Sequence, residues 1–254
     1  MSVKIGLQKT PLVSEILARF VSGLGPEAFD RVLQVASLVP VPRGGMLVRE
    51  GEVATTFGYV IEGALGMART TAEGKTHLSG LLLPGDCYGR LFDGPMPHSV
   101  AALTNALVLI IEREVYELIL GEMPTAENAL IVSMIGDLDA ARAWVLVLSS
   151  VNLVERVAAF LEILVQRQQS NRFTEVSLPV TVRLPLGRKD LARCLGIRPE
   201  SLSRAIHRLK KLGIIEVVNT NVFRVPDRES LLDAAGGAFK ISSQRKDQAG
   251  GRTR

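Results

Sequence analysis

The sequence predicts an α+β chain built as an N-terminal β-roll, one long helix and a C-terminal winged helix-turn-helix. Three observations carry this expectation. Short apolar runs punctuated by glycine fill residues 39–108. Apolar positions then recur at helical spacing over residues 124–149. Residues 187–225 read as helix, tight turn, helix and β-hairpin.

Taken in order, residues 12–36 suggest two short helices split by Gly23-Leu24-Gly25-Pro26. The runs MLVRE, FGYVIEG, LGMART, HLSGLLL and ALVLIIE follow, separated by Gly44-Gly45, Gly51, Gly63, Gly74, Gly85 and Gly94. Closely spaced strands with glycine turns indicate a sandwich or jelly roll. Helical patterning returns at 112–120, so the roll domain is expected over residues 12–123. In the helix that follows, Ile131, Met134, Leu138, Ala141, Val145 and Leu148 alternate spacings of three and four. That is the a/d seam of a two-stranded coiled coil and predicts a homodimer through residues 124–150. Leu130, Ile135 and Trp144 lie off the seam, so the helix has apolar surface to pack on its own domain as well.

A further helix is expected from Asn152 to Gln168, with residues up to Leu186 as a connector. In GRKDLARCLGIRPESLSRAIHRLKKLGII (187–215), Leu191, Ala192 and Leu195 give a first helix its buried stripe, and Gly196 breaks it. Pro199 suits the first turn of a second helix, where its missing N–H has no partner to lose. There Leu202, Ile206, Leu209 and Leu212 are expected to face inward. Glu200, Ser203, Arg204, His207, Arg208 and Lys211 are left on the outside. A carboxylate, a hydroxyl and a guanidinium on the first turns suit base edges in the major groove of double-stranded DNA. Gly213 ends this helix, and two β-rich runs around Asn219-Thr220-Asn221 supply a wing. This domain is expected over 151–233, and the polar, basic stretch 234–254 is expected to be disordered.

Charge supports the division. Residues 1–150 hold 11 Lys/Arg and 16 Asp/Glu, a net of −5; residues 151–254 hold 19 and 10, a net of +9. Only the C-terminal part has the electrostatics to release counterions from phosphates. The two cysteines, Cys87 and Cys194, cannot make a disulfide framework. The sequence has no run approaching a membrane span and no apolar leader, which predicts a cytoplasmic protein without a membrane partner. An enzyme of the cupin type would need clustered histidine and carboxylate ligands. The roll has His77 and His98, 21 positions apart, and no H-x-H pair, so no catalytic or metal-binding role is expected.

Together the glycine-punctuated roll, the long seam helix and the winged helix resemble the CRP/FNR family of bacterial transcription regulators, over residues 12–232. The most specific part is R188-K-D-L-A-x-x-L-G196-x-x-x-E200-S-L-S-R204, with L209-x-x-x-G213-I behind it. REGE (49–52), V60-I-E-G63 and P84-G-D86 are similar to the family's turn signatures in its cyclic-nucleotide-binding-like roll. The resemblance implies that Glu200, Ser203 and Arg204 contact bases. His207, Arg208 and Lys211, with Arg188 at the start of the first helix, complete the expected DNA set. E-x-x-S-R is the form of the FNR branch, which implies a TTGAT-type palindromic site. RNA polymerase is the further partner that the resemblance implies.

Departures from the family bear on the ligand. Where cyclic-AMP-binding members have a ribose-binding Gly-Glu pair, this chain has Gly89-Arg90. Where they have a phosphate-binding Arg-Ser pair, it has His98-Ser99. Cyclic AMP is therefore not expected. An iron–sulfur cluster needs four thiolates, and two cysteines cannot supply them within one subunit. Three options stay open: no cofactor at all, a pocket ligand such as haem through His77 or His98, and thiol chemistry at Cys194. Arg193 beside Cys194 would favour its thiolate. Each of these three residues also has an ordinary reading, as a surface or packing side chain. A ligand-binding regulatory module that does not act on DNA is the alternative class.

Overall fold

The computed structural model describes residues 26–71, 73–74, 76–170 and 179–236. The first helix expected before Gly23 and the expected tail beyond Gly236 lie outside these residues. The chain divides into two compact units between Leu138 and Asp139, inside the long helix.

The first unit opens with helix α1 (Pro26–Val35). Eight strands follow: β1 (Ser37–Val41), β2 (Met46–Val48), β3 (Thr56–Glu62), β4 (Leu65–Thr70), β5 (Thr76–Leu82), β6 (Cys87–Tyr88), β7 (Ser99–Ala102) and β8 (Ala106–Glu112). They form two four-stranded antiparallel sheets, ordered β1-β8-β3-β6 and β2-β7-β4-β5. The expected roll is thus present. Helices α2 (Arg113–Glu122) and α3 (Pro124–Ser149) come next.

Strand β3 is buried on both faces because it separates two cores. Phe57, Tyr59 and Ile61 point to a core shared with α1, α2, Ala126 and Leu130. Val60 points the other way, into the roll interior with Leu65, Val100 and Val108. Period-two alternation therefore sends successive apolar residues to different cores. Gly58 sits where β3 meets β8, and an added Cβ would lie 1.9 Å from the Leu109 carbonyl oxygen. A side chain there would force the two strands apart.

The second unit contains the rest of α3 and then α4 (Leu153–Ser170), β9 (Val180–Arg183), α5 (Arg188–Cys194), α6 (Pro199–Lys211), β10 (Glu216–Asn219), β11 (Val222–Val225) and α7 (Arg228–Ala234). Its sheet runs β10-β11-β9, antiparallel throughout. Helix α4 is its centre: Val157, Ala158, Ala159, Phe160, Leu161 and Val165 are all buried. Phe160 also meets Trp144 edge-on, with ring centroids 5.9 Å apart. Glu162, on the same helix, is fully buried. Its Oε1 accepts bonds from Arg228 Nε and Nη2 at 2.9 and 2.7 Å and from Gln166 Nε2 at 3.1 Å. That ion pair fastens α7, whose N-cap Asp227 accepts from the backbone N–H groups of Glu229 and Ser230.

Two elements differ from the sequence expectation. The stretch read as a connector contains β9, which pairs with β11 and gives the wing sheet a third strand. Helix α7 follows the wing and was not expected. Among the described residues, no helix is long and apolar enough to cross a membrane.

Candidate nucleic-acid interface

The helix-turn-helix is built from two helices that end alike. At the end of α5, Gly196 adopts φ +64°, and Ile197 N–H reaches back to the Ala192 carbonyl at 2.9 Å. At the end of α6, Gly213 adopts φ +73°, and Ile214 N–H reaches the Leu209 carbonyl at 3.1 Å. Both are left-handed glycine stops, which close a helix by satisfying its last carbonyls. Pro199 opens α6, as the sequence predicts.

Leu191, Ala192 and Leu195 are fully buried, and so are Leu202, Ala205, Ile206 and Leu209 opposite them. Leu212 departs from expectation. It is the C-cap, the chain turns outward after it at Gly213, and the side chain remains 53% exposed. Helical periodicity overstates burial at a helix end, where no further turn is available to cover the residue.

The outer face of α6 brings together the residues the sequence singles out. Glu200, Ser203, Arg204, His207, Arg208 and Lys211 are all exposed, and the last turn adds Lys210. Glu200 and Arg204 are one helical turn apart on this face. Arg188 stands apart from the set. It is half-buried at the start of α5, with Nε and Nη2 donating to the Thr220 carbonyl at 3.3 and 3.1 Å. Its guanidinium lies 5.7 Å from the centre of the Phe223 ring, and burial lowers its pKa. Sequence reading could place a cation at the helix start but not these partners, more than thirty residues away.

Cys194 is buried on α5. Desolvation, followed by the Asp190 carboxylate, pushes its thiol up to about 12, and Arg193 opposes this only in part. At neutral pH it is a protonated packing group.

The expected seam of α3 is exposed in the single chain. Ile131, Met134, Leu138, Ala141, Val145 and Leu148 all face solvent, Leu138 at 51% and Val145 at 64%. Ala126 and Leu130, on another face, belong to the core of the first unit. The helix thus has one face committed to its own domain and a second apolar face left open.

In the roll, the departures from the cyclic-nucleotide pattern have defined places. Arg90 folds back on its own loop, Nε donating to the Asp93 carbonyl at 3.2 Å and Nη1 to the Pro95 carbonyl at 3.4 Å. Ser99 Oγ accepts the Glu50 N–H at 2.9 Å. Glu50 in turn accepts from Arg69 Nε at 3.0 Å and from the Thr70 N–H at 3.2 Å. His98 is half-buried beside this pair. Burial and then the Arg69 charge lower its pKa, with Glu50 opposing. His77 is exposed, on β5 opposite Arg69. Cys87 donates to Asp137 Oδ2 at 2.9 Å, and burial raises its pKa. Among the described residues, no group of three or more His, Cys, Asp and Glu is arranged to hold a metal ion.

Known proteins share both halves. Residues 38–122 match the family described as cyclic nucleotide-binding domain, and residues 155–234 match the Crp-like helix-turn-helix domain. The chain is 30% identical over 193 residues to the transcriptional activator protein FnrL of Cereibacter sphaeroides, covering 76% of this chain and 78% of that protein. It is 27% identical over 205 residues to the fumarate and nitrate reduction regulatory protein of Escherichia coli, covering 80% of each. The structure of FixK2 from Bradyrhizobium japonicum has the same fold, with a TM-score of 0.68 at 23% identity, covering 80% of this chain and 98% of that one. The roll and the helix-turn-helix domain thus have their counterparts in known regulators, and the chain belongs to the CRP/FNR family of transcription regulators.

Proposed function

We propose that this protein is a homodimeric activator that reads a TTGAT-type palindromic operator in the cytoplasm and engages RNA polymerase there. The observation that carries the reading is the outer face of α6. Glu200, Ser203 and Arg204 are exposed on the first turns, over a back face that is fully buried. Glu can accept from a cytosine or adenine amino group, and Arg can donate to guanine O6 and N7. TTGAT sets a G·C pair beside A·T pairs, so one half-site offers both partners. The dimer rests on the open apolar face of α3, since a palindrome needs two readers about 34–36 Å apart. A gel shift on a TTGAT-N4-ATCAA duplex, with and without nucleotide and metal, tests the reading. Failure to retard this duplex in preference to random DNA would sink it.

Arg204→Ala should cost roughly 1–3 kcal/mol on the operator and flatten discrimination at the guanine. Titration against a set of guanine-substituted operators checks this. Equal weakening on operator and random DNA would make Arg204 a backbone contact and remove the half-site assignment.

Cyclic AMP does not suit this roll. By the family resemblance its ribose-binding carboxylate is replaced by Arg90, which is engaged with its own loop, and its phosphate-binding Arg by His98. We therefore take the protein to bind DNA without a nucleotide cofactor. Haem has weak support from either histidine, because His77 lies exposed and His98 sits beside the Arg69–Glu50 pair. Thiol sensing at Cys194 has less. Peroxide should affect operator binding by the native protein and by Cys194→Ser equally. A variant that resists when the native protein loses binding would restore Cys194 as a sensor.

A further inference from the structure

We propose that Arg188 is the positioning residue of the wing. In this role it holds the Asn219–Asn221 turn against the start of α5, so that the end of the wing meets the DNA backbone beside the reading helix. The proposal rests on the DNA-reading function argued above. It assigns Arg188 a different task from the direct DNA contact expected of it from the sequence.

The turn is fixed from several directions. Asn221 N–H donates to Asn219 Oδ1 at 2.9 Å, and Leu184 N–H donates to the Asn221 carbonyl at 2.7 Å. Between them, the Thr220 carbonyl takes both Nε and Nη2 of Arg188. The same guanidinium lies over Phe223, which is fully buried. A planar fork set over a ring and donating two hydrogen bonds to one carbonyl is held in place, and swinging it to a phosphate would break all three interactions. Lysine could supply the charge but not the fork.

Position gives the clamp its use. The first helix of a helix-turn-helix crosses the DNA backbone. A wing turn tied to the start of that helix is therefore brought to the same backbone. The strand register ladder places Arg183 opposite Val222, at this end of the sheet, and Arg183 is exposed. A bulge in β10 between Val217 and Asn219 leaves Val218 54% exposed at the same end of the sheet, across β11 from Arg183, and bulges redirect a strand end in this way. A cation and a protruding side chain at the wing end are suited to a phosphate and its sugar.

Two measurements on the full chain test this. The first is amide hydrogen exchange without DNA in the native protein, Arg188→Leu and Arg188→Lys. Both variants should exchange about tenfold faster across residues 216–225, as expected when a charge-assisted bond pair is lost, with residues 199–211 unchanged. Native exchange across the wing in both variants would overturn the clamp. The second is the slope of log affinity against log salt on the operator. Arg183→Ala should lower it by about 0.9 in the native background and change nothing further in Arg188→Lys, where the wing is already released. Slope changes that add in the double variant would show that Arg188 does not position Arg183, and an unchanged slope for Arg183→Ala would remove the wing-end contact. The exchange experiment needs no DNA, and the slope experiment begins with native protein that binds the operator. Failure of the DNA reading is therefore a separate result.

Discussion

Leu138→Lys should turn the protein into a monomer and lower operator affinity by about 10²–10⁴-fold, the usual gain from joining two binding modules. Leu138 lies at the middle of the open α3 seam and is 51% exposed in the single chain. In the proposed dimer its counterpart would face it, so the substitution would place two ammonium groups in one apolar layer. Each would lose hydration on entering an apolar seam. Sedimentation measures the first effect and operator titration the second. An intact Leu138→Lys dimer would remove the seam assignment. A monomeric variant that still binds the full palindrome with native affinity would remove the need for pairing.

Arg228→Met should destabilise the second unit by about 3–5 kcal/mol, the range found when one partner of a buried ion pair is deleted. The remaining partner is Glu162, with no exposed surface, on the helix around which that unit is packed. Methionine roughly fills the volume but removes both guanidinium hydrogen bonds to Glu162 Oε1. Replacing both residues, as Glu162→Leu with Arg228→Met, should recover most of the loss, because a well-packed apolar pair can match a buried ion pair. Urea unfolding of the full chain, followed by helical signal, reads both. A single variant within 1 kcal/mol of native, by the general scale of surface substitutions, would show that Arg228 does not support Glu162.

Much of the fold is legible because it is written in local pattern. Gly196 and Gly213 mark helix ends by a conformation few other residues adopt, and Leu191, Ala192 and Leu195 mark a face by period. The roll runs are likewise readable, since glycine separates them. What escapes is what depends on distant partners or on very short segments. Strand β9 is four residues, Val180 to Arg183, between Pro179 and Pro185. Its buried–exposed alternation is genuine but too brief to stand out before β11 is known to lie beside it. Helix α7 had a signal that can be found in retrospect: Asp227 as N-cap, followed by Glu229 in the first turn. Cys194 shows a different difficulty. Arg193 is its neighbour in sequence, but Asp190, one turn earlier, shares its helical face, and the burial that decides its chemistry is tertiary.

Arg188 is the clearest case in the candidate site. Its charge and its place at a helix start are visible in the sequence. Its commitment to the Thr220 carbonyl follows only from the return of the chain through the wing.

The loop closed by Arg90 has a consequence for how a cell would set the output of such a protein. Arg90 is engaged with its own loop, and on the ligand-free function proposed above the adjustable quantity is copy number. Because the active form is a pair, at low abundance its amount rises as the square of synthesis. Doubling the message would then roughly quadruple the occupied operators, and the steepness that other regulators take from a ligand would come from arithmetic.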